Sequence, residues 1–419
     1  MVDTQNTNTL TSRWEASMMN NYGTPAVEIV SGHGAILVDS QGRECIDMLS
    51  GIAVNSLGQA HPALIEAVDT QMRTLMHVSN LAITEPGVAV AEALRHRFAS
   101  GIEGFNAEAQ AQVEASTRVM FCNSGAEANE AAFKLARLTG RPSVFAAEGG
   151  FHGRTMGALA MTGQPDKRAA FEPMPQDVRY YPYGDFAAVE KLVMANPDQV
   201  AAIILEPIQG EIGVTVPPAG YLAQIRELTE KIGALMIVDE VQTGVGRTGK
   251  FYGFQHEPGV IPDIVTMAKG LAGGIPVGAV VATGPAATLF TPGSHGTTFG
   301  GNPISMAAAR AVLDIIDTGF LEEVTAKGEH LQAKLNELDT VASTRGQGLM
   351  VGAVLTGEWA KQAVAKGPDY GLILNAPQKD VIRLVPPLII TEAEIDEAVS
   401  RLGRLLADVS HANQATQAN

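Results

Sequence analysis

Six short apolar runs recur through the middle of this chain: TRVMFC (117–122), SVFAA (143–147), VAAIILE (200–206), ALMIVD (234–239), DIVTM (263–267) and VGAVVA (277–282). Their length suits strands, and their nearly unbroken apolar, β-branched character suits strands buried on both faces. Segments 124–139, 187–196 and 218–232 lie between them and carry helical spacing. Buried strands alternating with helices predict a mostly parallel sheet flanked by helices. Glycine-rich turns follow nearly every run at its carboxyl end, which is where open α/β sheets place ligands.

Past GGNP (300–303) the texture changes to a small-residue helix reaching about Asp317. Amphipathic helices then follow near 321–338 and 392–409, around strands at 341–356 and 381–389, with Thr391 and Glu394 spaced as a capping box. The 419 residues are too many for one small core. The predicted fold is therefore α/β, with a large domain at 61–317 and a smaller α+β domain at 318–419. An N-terminal segment, 1–60, is expected to join the smaller domain.

Charge narrows the function classes. Against 45 acidic side chains stand 29 basic ones, a net charge of −16 that repels nucleic acid and anionic membranes, and no basic patch relieves it. No apolar run reaches the length of a membrane span, and the polar N-terminus has no signal-peptide core, so a cytoplasmic protein is expected. Cys45 and Cys122 match neither a metal-ligand spacing nor a disulfide framework. No metal site is expected.

Three local features point to chemistry. Between Asp263 and Arg310 the only formal charge is Lys269, an ammonium that an apolar setting disfavours. Asp239 ends an apolar strand 30 positions earlier, and Glu240 follows it at once. In NSGAE (123–127), Ser124 and Glu127 form a capping box, and the same turn offers free N–H groups to an anion. Pyridoxal phosphate uses all three: an anion site for its phosphate, a lysine for its aldehyde, a carboxylate for its ring nitrogen. Gly244, Gly246 and Gly249 spell G-x-G-x-x-G, which raises a nicotinamide-dependent dehydrogenase as a distant alternative. They stand five residues beyond the strand end, however, and no helix pattern follows them.

Together with NNYGTPAVEIVSGHGA, SGIAVNSLGQAHP, FHGRTMGALAMTGQP, LEPIQGEIGV, HGTTFGGNP and LNAPQKDVIRLVPPLIIT, these motifs span nearly the whole chain. The sequence resembles the class III (subgroup II) pyridoxal-phosphate aminotransferases of fold type I. Within that family it is most similar to the acetylornithine aminotransferases of bacterial arginine biosynthesis. The resemblance implies that Lys269 carries the cofactor and acts as the catalytic base, and that Asp239 pairs with the pyridine nitrogen. It implies phosphate contacts from Ser124, Gly125 and Ala126, with Ala126 where many relatives have threonine. Phe151 would lie on the ring face and Gln242 at the phenolic oxygen. Thr298 would reach the cofactor of a neighbouring subunit in a homodimer.

The same resemblance assigns substrate contacts to Arg154, Thr297, Arg383 and Glu211, with Glu211 neutralising Arg383 when the substrate brings no carboxylate there. The implied reaction moves the δ-amino group of N2-acetyl-L-ornithine to 2-oxoglutarate, giving N-acetyl-L-glutamate 5-semialdehyde and L-glutamate. Ornithine and 4-aminobutyrate aminotransferases are the alternatives. Gly51 favours the acylated substrate, because those relatives tend to carry a larger side chain at the matching place. His152 and His295, without metal-ligand companions, are expected to be satisfied structural histidines.

Overall fold

A computed structural model describes residues 9–417 of the chain. Its strands are β1 (Ile29–His33), β2 (Ile36–Asp39), β3 (Glu44–Asp47), β4 (Arg118–Cys122), β5 (Ser143–Ala147), β6 (Val178–Tyr181), β7 (Val200–Leu205), β8 (Leu235–Asp239), β9 (Ile264–Met267), β10 (Gly278–Ala282), β11 (Val341–Gln347), β12 (Met350–Leu355), β13 (Leu372–Ile373), β14 (Asn375–Gln378) and β15 (Val381–Leu384).

The central sheet has seven strands in the order β4-β10-β9-β8-β7-β5-β6. From β9 through β6 neighbouring strands run parallel. Strand β10 is antiparallel to both β4 and β9. The link from β9 to β10 contains only a short 3₁₀ turn, Lys269–Ala272, too little for the crossover that a parallel return requires.

Alternation along the strands divides the core in two. Phe145, Ile203, Leu205, Met236, Val238, Val265 and Val281 point to one cluster; Val144, Ala146, Ile204, Ile237, Ile264 and Val280 point to the other. Each face therefore needs its own helical cover, and the sequence supplies helices such as Gly125–Leu138, Phe186–Met194 and Tyr221–Ile232. Fully burying one such Ile, Val or Leu is worth about 1.5–3 kcal/mol.

Two smaller sheets complete the molecule. Strands β11-β12-β15-β14 form an antiparallel sheet beside the helices Thr318–Asn336 and Glu392–Gln417. Strands β1-β2-β3 form another, to which β13 adds in parallel, so the N-terminal strands close on a late piece of chain. Thr391 and Glu394 form the reciprocal cap of the last helix: Glu394 N–H donates to Thr391 Oγ1 at 3.2 Å and Thr391 N–H to Glu394 Oε2 at 2.8 Å.

The expected strand at 341–356 is a hairpin, in which Gln347 pairs with Met350 and Gly348 takes the turn at φ +51°. The expected strand at 381–389 stops at Leu384, before Pro386 and Pro387, which cannot donate to a ladder. Strand β6 went unanticipated because Val-Arg-Tyr-Tyr is an edge strand with little apolar signature. No helix among the described residues is long and apolar enough to cross a membrane.

Candidate active site

Adjacent parallel strands deliver Asp239 and Lys269. Asp239 ends β8 opposite Thr266 of β9, and Lys269 follows three residues later. Both side chains line one cavity of about 430 Å³ at the carboxyl ends of the strands. Ser124, Gly125, Ala126, Phe151, Arg154, Glu211 and Gln242 line it too. Nine expected site residues separated by up to 145 positions in sequence thus converge on a space of ordinary ligand size.

Asp239 is buried and its carboxylate is clamped. Its Oδ2 accepts from Asn129 Nδ2 at 2.7 Å and faces His152 Nδ1 at 2.7 Å, while Oδ1 accepts from Val241 N–H at 2.9 Å. Asn129 is itself fixed, since Thr266 Oγ1 donates to its Oδ1 at 2.8 Å and its Nδ2 also reaches the His152 carbonyl at 2.8 Å. Burial opposes a charge on His152, but the Asp239 carboxylate outweighs it and raises the imidazole pKa. The expectation of a satisfied structural histidine is corrected here: His152 lines the cavity, touches Asp239, and leaves a buried Nε2 with no hydrogen-bond partner. His295 does fit the structural description, packed on Phe290 at 5.3 Å with Lys134 Nζ 2.9 Å from its Nδ1.

Lys269 has a φ of +43°, a left-handed conformation that costs a side-chain-bearing residue on the order of 1–3 kcal/mol and is tolerated where the surroundings impose it. Burial pushes its ammonium down to about 8, and the like charge of Arg383 adds to that. The sequence puzzle is resolved by lowering the cost of neutrality rather than by an ion pair.

The helix Gly125–Leu138 starts at the cavity. Ser124 caps it, with Glu127 N–H donating to Ser124 Oγ at 3.2 Å. Glu127 reaches one residue further back than a reciprocal cap would, accepting from both the backbone N–H and the Nδ2 of Asn123 at 2.8 Å. Among the described residues nothing accepts from the N–H groups of Gly125 and Ala126, so these donors and the positive helix end face the cavity. A Cβ on Gly125 would stand 2.7 Å from Val241 Cγ1, so only glycine leaves the turn this close to the β8 end.

A second set of charges closes the far wall. Arg383 is buried behind Glu211 and Gln242: its Nη1 donates to Glu211 Oε1 at 2.8 Å and Gln242 Oε1 at 3.1 Å, and its Nη2 to Asn375 Oδ1 at 2.9 Å. Burial raises Glu211, but Arg383 outweighs it and the net shift is downward. Arg154 and Lys167 approach the Phe151 ring at 5.7 and 5.4 Å. Thr297 stands off the cavity, its Oγ1 accepting from Asn123 Nδ2 at 3.0 Å, and Thr298 beside it is exposed. Three side chains with cavity or clamp roles were not anticipated: Asn129 and Glu206 were not singled out by residue type or spacing, and His152 was expected to be structural. They meet Asp239 or Phe151 from 55 to 110 positions away, a relation that only the fold creates.

The residues suit pyridoxal phosphate: helix-end donors without acceptors, a clamped carboxylate, a lysine of lowered basicity, and Phe151 in one apolar-walled space. Gly244, Gly246 and Gly249 instead lie in consecutive turns followed only by a short 3₁₀ turn, Gly253–His256, and Arg247 between them is buried, donating to the carbonyls of Leu349 at 3.0 Å and Pro386 at 2.6 Å. That segment ties sheets together and offers no dinucleotide turn.

The chain belongs to the class-III aminotransferases, whose family model matches residues 17–406. These are pyridoxal-phosphate-dependent enzymes. It is 58% identical over 402 residues to the acetylornithine aminotransferase of Corynebacterium efficiens, covering 96% of this chain and 98% of that one. With the acetylornithine aminotransferase of Mycolicibacterium smegmatis it shares 54% over 404 residues, covering 95% and 98%. Among solved structures, N-acetylornithine aminotransferase from Stenotrophomonas maltophilia superposes with a TM-score of 0.78 at 34% identity, covering 96% of this chain and all of that one. Ornithine aminotransferase from Toxoplasma gondii gives 0.86 at 29% identity, covering 96% and 95%.

Proposed function

We propose that this enzyme transfers the δ-amino group of N2-acetyl-L-ornithine to 2-oxoglutarate, yielding N-acetyl-L-glutamate 5-semialdehyde and L-glutamate. The opening of Lys269 and Asp239 into one cavity beside the free start of helix Gly125–Leu138 carries the chemistry. Identity of 58% to an acetylornithine enzyme, against 29% to an ornithine enzyme, supports the substrate.

Pyridoxal phosphate, when bound, supplies an aldehyde for the amine and an electron-accepting ring. In this reading the N–H groups of Gly125 and Ala126, with Ser124, hold its phosphate; Asp239 keeps a proton on its ring nitrogen; Gln242 meets its phenolic oxygen; Phe151 covers a ring face. Lys269 Nζ removes and returns the proton at the reacting carbon, Cδ of acetylornithine or Cα of glutamate. At about 8, its pKa leaves a neutral fraction far above that of an exposed lysine.

Arg383 is the seat for the α-carboxylate of glutamate, and Glu211 takes over that guanidinium when acetylornithine brings no carboxylate to it. Arg154 holds the other carboxylate of either substrate. The backbone gives Gly51 a reason of its own: Ser50, Gly51, Ile52 and Ala53 all have positive φ, with Gly51 at +64°. Val54, next along that turn, is the residue that lines the cavity, so room for an acyl tail is set by the turn as a whole.

A homodimer belongs to the same proposal. Leu81 and Ile83 are 98% and 91% exposed, and Phe299 is 61% exposed, an apolar face beside Thr298. Asn80 Nδ2 ties this face to the Gly300 carbonyl at 2.9 Å. We also propose a cytoplasmic location, with Cys45 and Cys122 buried and unpaired, and a division into 1–60, 61–317 and 318–419, supported by the pairing of β3 with β13. Turnover of acetylornithine, free ornithine and 4-aminobutyrate with 2-oxoglutarate tests the substrate: acetylornithine is expected to give the highest kcat/KM, and a clear preference for free ornithine contradicts it.

A further inference from the structure

Glu206 follows β7 at its carboxyl end and lines the cavity, yet none of the roles above uses it. It is buried. Its Oε1 accepts from Phe151 N–H at 2.8 Å, and its Oε2, more weakly, from Gly210 N–H at 3.4 Å. Among the described residues no lysine or arginine forms an ion pair with it, whereas the other two carboxylates of the lining each face a basic group, Asp239 His152 and Glu211 Arg383. The charges that act on it are His152, Asp239 and Lys269, and the Tyr183 phenol feels its charge in turn. One imidazole, with its Nε2 unpartnered, thus stands against two buried carboxyl groups.

His152 is already hydrogen-bonded to Asp239, and Lys269, the other cation that acts on Glu206, is itself made less basic by burial, so a buried Glu206 with no cation paired to it is favoured to keep its proton. A cationic ring nitrogen brought against Asp239 takes up that carboxylate's charge and leaves His152 to act on Glu206. We propose that Glu206 balances the charge of this site: it is protonated in part of the population before pyridoxal phosphate binds, and it releases that proton when the protonated ring nitrogen is seated against Asp239. The carboxyl O–H bond breaks, the carboxylate stays, and the proton passes to bulk buffer; nothing is oxidised or reduced. Glu206 acts through charge and through its hold on Phe151, as a positioning residue. Burial pushes its carboxyl up to about 7, against the pull of His152, so a partial population near neutral pH accords with the geometry.

The inference rests on cofactor binding at this site, and calorimetry separates the two. Pyridoxal phosphate is titrated into apoprotein near pH 7 in two buffers of different ionisation enthalpy, which gives both the stoichiometry and the protons exchanged. Glu206→Gln keeps an acceptor for Phe151 N–H and removes the ionisable proton. Wild type is expected to release several tenths of a proton per site more than E206Q, and Glu206→Asp to regain release. Equal proton counts for wild type and E206Q, with stoichiometric binding by both, overturn the role of Glu206; absence of binding by wild type overturns the cofactor reading instead. Should E206Q fail to bind, the pH dependence of release by Glu206→Asp decides. A displaced curve supports the proposal and one superimposable on wild type refutes it.

Discussion

At the scale of single residues the site pairs Arg383 with Glu211 and clamps Asp239, but leaves Lys269 without an ion pair among the described residues. Lys269 is down from 10.5 to about 8 because its ammonium is buried and Arg383 repels it. Such a group binds its proton less tightly in the folded chain than in the unfolded one. The cost is complete below about pH 8 and fades as pH rises toward 10.5, so this residue makes stability climb across that window. Lys269→Met, similar in size and uncharged, is expected to stabilise the apoprotein near neutral pH by about 1–3 kcal/mol, allowing for partial solvent screening. The advantage should shrink from pH 8 to 10. Denaturant melts across that range check this, and a pH-independent difference would show that charge burial is not the cause.

Lys269 and Asp239 were legible in the sequence because each follows an apolar run at its carboxyl end, and Lys269 is the only formal charge between Asp263 and Arg310. Their clamps were not. Asn129 and His152 look like an ordinary helical amide and a lone histidine until the sheet order sets them 2.7 Å from Asp239. Glu206 looked like a strand end until its carboxylate met the Phe151 N–H.

Among the elements, the helix Gly125–Leu138 has the clearest double duty, since its first turn must be both capped and open. Ser124→Ala removes the acceptor for Glu127 N–H and is expected to cost about 0.5–2 kcal/mol of stability. Gly125→Ala presses a methyl group to 2.7 Å from Val241 and moves the turn that presents the donors. It is expected to lower pyridoxal-phosphate affinity roughly tenfold or more, with about 1–3 kcal/mol of destabilisation from overpacking. Cofactor titrations with thermal melts separate the two variants: S124A retaining stability, or G125A retaining full affinity, contradicts these assignments. Strands buried on both faces were readable to within about a residue because nothing but apolar side chains fits there. Edge strand β6 and the hairpin β11–β12 were not, since half-solvated strands carry mixed composition and Gly348 is one of three glycines, with Gly346 and Gly352, in the same stretch.

Whole-molecule organisation places the catalytic strand ends under the small antiparallel sheet. Arg383 of β15 reaches down to Glu211 and Gln242, so the small sheet backs one wall of the site from behind. The order of strands, with β10 inserted antiparallel between β4 and β9, could not be read from composition, because pairing partners leave no local mark. The exposed face around Leu81, Ile83 and Phe299 belongs to the same scale. Leu81→Asp with Ile83→Asp is expected to yield monomers in sedimentation experiments and to lower turnover at least tenfold. Such a double variant that remains dimeric, or monomers with full turnover, would contradict a shared active site.

The central claim is that Lys269 is the residue bonded to the cofactor, with Asp239 at the other end of the same ring. Borohydride reduction of the holoenzyme followed by peptide mapping tests it most directly. The account predicts loss of the visible absorbance and one stable pyridoxyl adduct on the peptide containing Lys269, absent from Lys269→Ala. An adduct confined to a different lysine, or an adduct of equal yield in that variant, would contradict it.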